Sequence, residues 1–248
     1  MRLAVLSDIH GNLPALEAVT RDLRRRGVDA VVNLGDSLSG PLLPRETAQF
    51  LMATDWLHLA GNHERQLLTL PEAAKGPSDA FATTQLSPVE FDWLATLPGT
   101  ARLGDDVFLC HGTPTRDDVY LLETVSPGEV RLATPAEVAE RLGAVQSSLV
   151  LCGHSHVPRA VRAPSGQRIV NPGSVGLQAY ADDHPFPHVV ATGSPDARYA
   201  MVTREGTAWV TDLVAVPYRH GDMASLAQRH QRPDWFEAIG RGYLETIG

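Results

Sequence analysis

Five short apolar runs in this chain each close on a polar block of one kind. The blocks are Asp8-Ile9-His10, Gly35-Asp36, Gly61-Asn62-His63-Glu64, His111-Gly112 and Gly153-His154-Ser155-His156. Carboxylate, imidazole and amide oxygen suit borderline cations such as Mn²⁺, Fe, Ni²⁺ or Zn²⁺. Asp8 and His10 are two residues apart, so on extended backbone both face one side and can chelate one ion. His154 and His156 share that spacing and could serve one ion or straddle two. Together Asp8, His10, Asp36, Asn62, His111, His154 and His156 exceed one tetrahedral site, which predicts two divalent ions sharing a bridge. Such a pair turns water into a nucleophile and clamps both oxygens of an in-line displacement at phosphorus, with no serine or cysteine needed. Any one of these residues alone reads better as a helix cap or a hydrogen-bonded core histidine. The bland reading fails only for the set, because it asks for seven coincidences at the ends of apolar runs.

Positioning such a set requires strands that end together. Leu3–Leu6, Ala30–Leu34, Trp56–Leu59, Asp106–Cys110 and Ser148–Cys152 read as buried strands, and in open α/β sheets ligands gather beyond the strands' carboxyl ends. Helical spacing covers Leu13–Arg26, stopped by Gly27, and Pro44–Met52 is a second helix. Later strands, Arg159–Ala163, Arg168–Val170, Ala197–Thr203 and Thr207–Val216, come as hairpins around Ser165-Gly166 and Glu205-Gly206. Early α/β alternation followed by hairpins predicts a four-layer α/β/β/α sandwich, with two mixed sheets flanked by helices. The expectation is a single domain over residues 1–248 with a helical tail from about residue 217. Asp182–His188 and Gly193–Asp196 read as loops. Arg65–Thr100, Thr113–Gln146 and Leu177–Arg198 show no pattern that defines their folds.

Lys plus Arg number 21 against 29 Asp plus Glu, a net charge of −8. That balance argues against polymeric nucleic acid, which needs a basic surface to release counterions. Small phosphorylated substrates stay open, since bound metal reverses charge locally. No apolar run is long enough to span a bilayer, and the start is too quickly polar for a secretory signal, so no membrane partner and a cytoplasmic location are expected. A P-loop is absent. Cys110 and Cys152 read as packing residues, since strand alternation turns Cys110 away from His111 and buried cysteine packs as a small hydrophobe. His58 reads as structural, Trp93, Tyr120 and Trp235 as core or interface, and His184 and His188 as part of a surface loop bordering the pocket. Asn12, at the entrance to the first helix, is a candidate for phosphate contact.

The order Asp-x-His, Gly-Asp, Gly-Asn-His-Glu, His and Gly-His-x-His resembles the calcineurin-like metallophosphoesterase superfamily. Asn171-Pro172-Gly173-Ser174-Val175-Gly176 and the tail from Val216-Pro217-Tyr218 are similar to its small prokaryotic phosphodiesterase branch. The resemblance implies one ion on Asp8, His10, Asp36 and His156 and a second on Asp36, Asn62, His111 and His154, with Asp36 bridging and Mn²⁺ favoured. It makes His63 a catalytic residue that faces the phosphate rather than a ligand, beside Asn62, with Glu64 in a position to orient its imidazole. The implied reaction is hydrolysis of a small phosphodiester, nucleotide-derived esters included, by a hydroxide bridging the two ions. The alternative is a phosphomonoesterase or Ser/Thr phosphoprotein phosphatase. Gly35-Asp36-Ser37-Leu38-Ser39-Gly40 lacks the arginine that phosphoprotein phosphatases place there, although Arg65 or Arg116 could substitute. A non-catalytic scaffold of the same fold, as in the retromer subunit, would show a degraded ligand set, and here the set is intact.

Overall fold

The computed structural model describes residues 1–244 of the chain. In chain order its elements are β1 (Arg2–Leu6), α1 (Leu13–Arg26), β2 (Ala30–Asn33), α2 (Pro44–Met52), β3 (Leu57–His58), α3 (Asn62–Thr69), α4 (Pro77–Gln85) and α5 (Pro88–Leu94). Next come β4 (Thr100–Leu103), β5 (Val107–Cys110), β6 (Glu123–Ser126), β7 (Glu129–Leu132), α6 (Pro135–Leu142), β8 (Leu149–Leu151), β9 (Arg159–Arg162) and β10 (Arg168–Asn171). The chain finishes with β11 (Ala179–Asp182), β12 (His188–Ala191), β13 (Ala197–Glu205), β14 (Ala208–Val216), α7 (His220–Arg229) and α8 (Pro233–Arg241).

Two five-stranded mixed sheets form the centre, ordered β14-β13-β1-β2-β3 and β4-β5-β8-β10-β9. β1, β2 and β3 run parallel, as do β5, β8 and β10, and the outer strands pair antiparallel. Strand alternation divides the apolar residues between layers. Leu3 and Val5 of β1 meet Leu109 of β5 and Leu149 and Leu151 of β8 in the core between the sheets. Ala4 and Leu6 point the other way, onto Ala15, Leu16 and Val19 of α1. Cys110 and Cys152 lie with Phe108 and Val150 on the far face of the second sheet, under Val138 and Leu142 of α6. The result is the expected α/β/β/α sandwich, and both cysteines are packing residues.

α1 shows why the pattern was readable. Asn12 caps it by accepting from the Ala15 N–H at 3.3 Å, Arg24, Arg25 and Arg26 favour its C-terminus, and Gly27 leaves it with φ of 71°. Three expectations shift. Asp182–His188 is the turn of the β11–β12 hairpin rather than a free loop. The tail is two helices beginning at His220, which pack over Leu177 and Ala179 through Trp235 and Ile239. The strand expected at Trp56–Leu59 shortens to Leu57–His58. Among the described residues no helix is long and apolar enough to cross a membrane.

Candidate metal centre

Each polar block sits just past the carboxyl end of a parallel strand. Asp8 and His10 follow β1, Asp36 follows β2, Asn62 opens α3 after β3, His111 follows β5, and His154 and His156 follow β8. The chain leaves the sheet here through the left-handed region, with φ of 57° at Asp8, 52° at His10, 54° at Asp36, 68° at His154 and 58° at His156. Side chains other than glycine pay about 1–3 kcal/mol each for such a conformation. Among the described residues only Gln231 shares it. Backbone strain is therefore concentrated on the residues expected to hold metal.

Asp8, His10 and His156 bring ligand atoms within 4.8 Å of one another, and Asp36, His111 and His154 do the same. The triads adjoin: His111 Nε2 lies 3.0 Å from Asp36 Oδ2 and 3.9 Å from Asp8 Oδ1. Asn62 Oδ1 lies 3.1 Å from His111 Nε2, which adds it to the second group. All seven expected ligands thus converge.

The hydrogen bonds around them test whether metal fits. His10 Nδ1 is 2.8 Å from Ser39 O, His111 Nδ1 3.0 Å from Leu34 O, and His156 Nδ1 2.8 Å from Leu177 O. A carbonyl only accepts, so each Nδ1 carries the proton, and Nε2 of the neutral ring is a bare lone pair. His10 Nε2 and His156 Nε2 nonetheless face each other at 3.1 Å. Asp8 Oδ1 is buried with no hydrogen-bond donor, while Oδ2 accepts from the His154 N–H at 3.2 Å. Acceptors aimed at acceptors in a buried site call for a cation between them. The residues fit divalent metal, with each triad a candidate ligand group.

Without metal, protons take over part of that role. Burial disfavours a charged His111, but the adjoining Asp36 overrides it and raises the pKa to about 10. Burial and the neighbouring imidazole push His10 and His154 down to about 4. Burial opposes ionisation of Asp8 and Asp36 too, yet the histidines hold Asp8 near about 2 and Asp36 well below the usual carboxylate range.

His63 lies beside the cluster, its ring edge-on to His10 at 5.5 Å, and its side chain reaches the cavity. Its backbone N–H donates to Asp36 Oδ1 at 3.0 Å, and Nδ1 pairs with Asp79 Oδ1 at 2.8 Å. Burial works against its charge, but Asp36 and Asp79 raise its pKa to about 9. Asp79, on α4, therefore does what Glu64 was expected to do. Glu64 Oε2 instead accepts from the N–H groups of Asp36 at 2.7 Å and Gly61 at 2.8 Å, and Oε1 from that of Ser37 at 2.8 Å. It ties two strand exits together because it is the third residue of α3, turned back onto its own N-terminus.

Asn12 is a second correction. It is fully buried, and its two amide hydrogens go to Gly176 O and Tyr218 Oη, each at 2.9 Å, which leaves none for a phosphate. Arg65 and Arg116 do not replace the missing arginine, since they pair with Asp117 and Asp118 away from the cavity. Tyr120 and Trp235 are buried as expected but flank the metal cluster: Tyr120 packs on His154 at 4.9 Å and Trp235 meets His10 edge-on at 5.9 Å. Tyr180 packs on His156 at 4.6 Å, and His188, also buried, bonds Tyr120 Oη at 2.9 Å. His184 is exposed at the rim, while Trp93 and His58 pack together in the helical layer. Sequence reading missed Asp79 and Arg232, which lie on a segment without apolar periodicity and at the start of a tail helix, whereas Tyr180 follows the Gly-Ser-Val-Gly stretch and does border the pocket.

The cluster and His63 form the floor of a cavity of about 690 Å³. Its walls come from α4, from the β11–β12 turn at Asp182–His184, and from α8 through Arg232 and Trp235.

Known proteins resemble this chain in sequence and fold. The calcineurin-like phosphoesterase superfamily domain matches residues 1–192. An uncharacterized protein of Methanocaldococcus jannaschii is 27% identical over 183 residues, 71% of this chain and 70% of that protein. A metallophosphoesterase from Sphaerobacter thermophilus is 25% identical, with a TM-score of 0.74 over 98% of this chain and 99% of the other. A hypothetical protein from Pyrococcus horikoshii OT3, 18% identical, shows the same fold at a TM-score of 0.73 over 98% and 99% of the two chains. With a family match over most of its length and the family's blocks converging at one set of strand ends, this chain belongs to the calcineurin-like phosphoesterase superfamily.

Proposed function

We propose that the protein is a binuclear metal-dependent phosphodiesterase acting on small phosphate esters, nucleotide-derived ones among them, rather than on polymeric nucleic acid. The observation that carries this reading is the pair of adjoining triads whose ligand atoms are all acceptors, with His63 beside them on the cavity side. Asp8, His10, Asp36 and His156 would hold one ion and Asp36, Asn62, His111 and His154 the other, with Asp36 bridging. The mixed nitrogen and oxygen set suits Mn²⁺, Fe, Ni²⁺ or Zn²⁺, and the family resemblance favours Mn²⁺ among them. When bound, the ions would supply activated water and positive charge against the phosphoryl oxygens.

The chain's own groups do the rest. Asp79 accepts from His63 Nδ1, which fixes the imidazole and leaves Nε2 without a protein partner among the described residues. A protonated His63 can hydrogen-bond a phosphoryl oxygen or give its proton to the departing alkoxide. Asn62 stands next to it, where its amide could also meet the substrate. Tyr180 and Trp235 pack on the ligand imidazoles and limit water around the cluster.

A phosphomonoester carries more negative charge and gains from extra cations at the phosphate. Arg65 and Arg116 are engaged elsewhere, which favours the diester. The intact acceptor set argues for catalysis over a scaffold role. The test is to strip the protein of metal, reconstitute it with Mn²⁺, Fe²⁺, Ni²⁺ or Zn²⁺, and compare aryl phosphodiesters, cyclic nucleotides, dinucleoside polyphosphates and p-nitrophenyl phosphate. Higher kcat/KM on diesters is expected, and a large margin for the monoester would overturn the assignment.

A further inference from the structure

We infer that Arg232, on the cavity wall away from the metal cluster, binds a second anionic group of the substrate, a phosphate or carboxylate borne by the part of the ester that is not cleaved. The inference deepens the phosphodiesterase reading and rests on it for the position of the scissile phosphate.

Arg232 is the sole lysine or arginine among the described residues that line the cavity. Its guanidinium is already held. Nε donates to Asp234 Oδ1 at 3.0 Å, Nη2 to Asp234 Oδ2 at 2.7 Å and Nη1 to Ser78 Oγ at 3.1 Å. The group also lies over the Trp235 ring, 5.6 Å from its centroid. A guanidinium has five N–H donors. Three are used, and the remaining two are one on Nη1 and one on Nη2. Adjacent donors of that kind match the two oxygens of a phosphate or carboxylate. Because the fork is fixed before binding, little side-chain entropy is lost when an anion arrives.

Position gives the fork its meaning. The Trp235 indole also meets the His10 imidazole edge-on, so a single aromatic ring contacts both Arg232 and the metal cluster. An ester that reached both the cluster and Arg232 would have to span that ring. Ser78, which accepts from Arg232, neighbours Asp79, which holds His63, so the same short stretch of α4 joins the two ends of the site. Across the cavity Asp182 and Asp183 make the rim acidic. An additional negative charge is therefore repelled there, and away from the cluster the cationic side chain it can meet is Arg232, whose charge Asp234 offsets in part while two of its N–H donors stay free. One extra anionic group is favoured, while a polyanion would meet the acidic rim.

The test is titration calorimetry on the Mn²⁺-loaded protein with thymidine 3′,5′-bisphosphate and thymidine 5′-monophosphate, using wild type, Arg232→Gln and Arg232→Lys. Wild type is expected to bind the bisphosphate at least about tenfold more tightly, a difference of about 1.4 kcal/mol. Arg232→Gln should lose that preference and Arg232→Lys should keep part of it. Equal preference in wild type and Arg232→Gln, or none in wild type, would overturn the inference. Thermal melting of each variant separates this from unfolding. Where Arg232→Gln melts early, Trp235→Phe, which leaves the guanidinium in place, must retain the preference or the inference fails. Turnover of thymidine 5′-(p-nitrophenyl phosphate) with and without a 3′-phosphate is measured alongside. If wild type cleaves neither ester yet shows the Arg232-dependent binding preference, the phosphodiesterase reading falls and the anion site stands.

Discussion

An imidazole can serve as a general acid only when its ring is held in place, and Asp79 holds the ring of His63, the proposed acid. Replacing His63 by Ala should lower kcat by about 10²–10⁴-fold, the usual contribution of a positioned acid. Metal stoichiometry, read by elemental analysis, should stay at wild-type value because His63 is outside both triads. Full activity would remove His63 from the mechanism. Asp79→Asn keeps the size and loses the charge that fixes the ring, so a smaller loss of about 10–100-fold is expected, typical of an orienting partner. Glu64 belongs to a different class despite being His63's neighbour. Its carboxylate accepts three backbone N–H groups, and Glu64→Gln leaves one amide oxygen to meet them. The expected effect is a loss of about 1–3 kcal/mol in chemical denaturation, since a buried donor is stranded. If Glu64→Gln unfolds at the wild-type midpoint, the tie between the strand exits is not structural.

At the level of elements, the site is a set of strand exits forced into strained turns and braced from outside. The segment after β10 supplies much of the bracing. Val175 N donates to Ser7 O at 3.0 Å, Gly176 N to Asp8 O at 3.0 Å and Ser174 Oγ to Asp8 O at 2.7 Å, so this loop holds the turn bearing Asp8 and His10. Close approach limits the neighbours as well. At Gly61 an added Cβ would run into the Asp36 carboxylate. Gly61→Ala should therefore displace Asp36, cost about 1–3 kcal/mol of stability and weaken metal binding by at least about tenfold. Calorimetric metal titration checks this, and unchanged affinity would show that Asp36 is not confined by Gly61. These same exits were the legible part of the sequence. Each joins a local apolar run to its polar block, so β1, β2, β5 and β8 and all seven candidate ligand positions could be read without tertiary knowledge. Asp79 could not, because α4 buries only Asp79 and Ala82 and has no apolar stripe to announce a helix. Its role depends on folding back over α3, a contact that no local pattern encodes. Asn12 misled for a related reason: a helix entrance looks like a phosphate site until the segment around Gly176 and Tyr218 closes it.

For the molecule as a whole, gathering so many acceptors around a cation site makes the metal-free fold sensitive to pH from both sides. His10 and His154 in the cluster, joined by His58 buried on β3, have folded pKa values of about 4, below the ordinary 6.5. As pH falls from 6.5 toward 4 the unfolded chain takes up protons that the folded one refuses, so stability falls. His63 and His111 have the opposite sign, with folded values near about 9 and about 10. Their contribution is complete below 6.5 and is lost as pH rises through 9 and 10, because the folded state there binds protons that the unfolded state has released. The EDTA-treated protein should therefore melt highest near pH 6.5, with declining Tm on both flanks. Metal changes the alkaline flank. Ions bind only deprotonated ring nitrogens, so loading displaces the His111 proton and removes its share of the alkaline loss. Added Mn²⁺ should raise Tm at every pH above neutrality, by an amount equivalent to about 4 kcal/mol at a thousandfold excess over Kd. At pH 8 metal uptake should also release protons into a weakly buffered solution, and the His111→Asn variant should release fewer. A metal-free protein whose Tm climbs steadily from pH 6.5 to 9, or metal uptake with no proton release, would mean that His111 does not hold a proton in the cation's place.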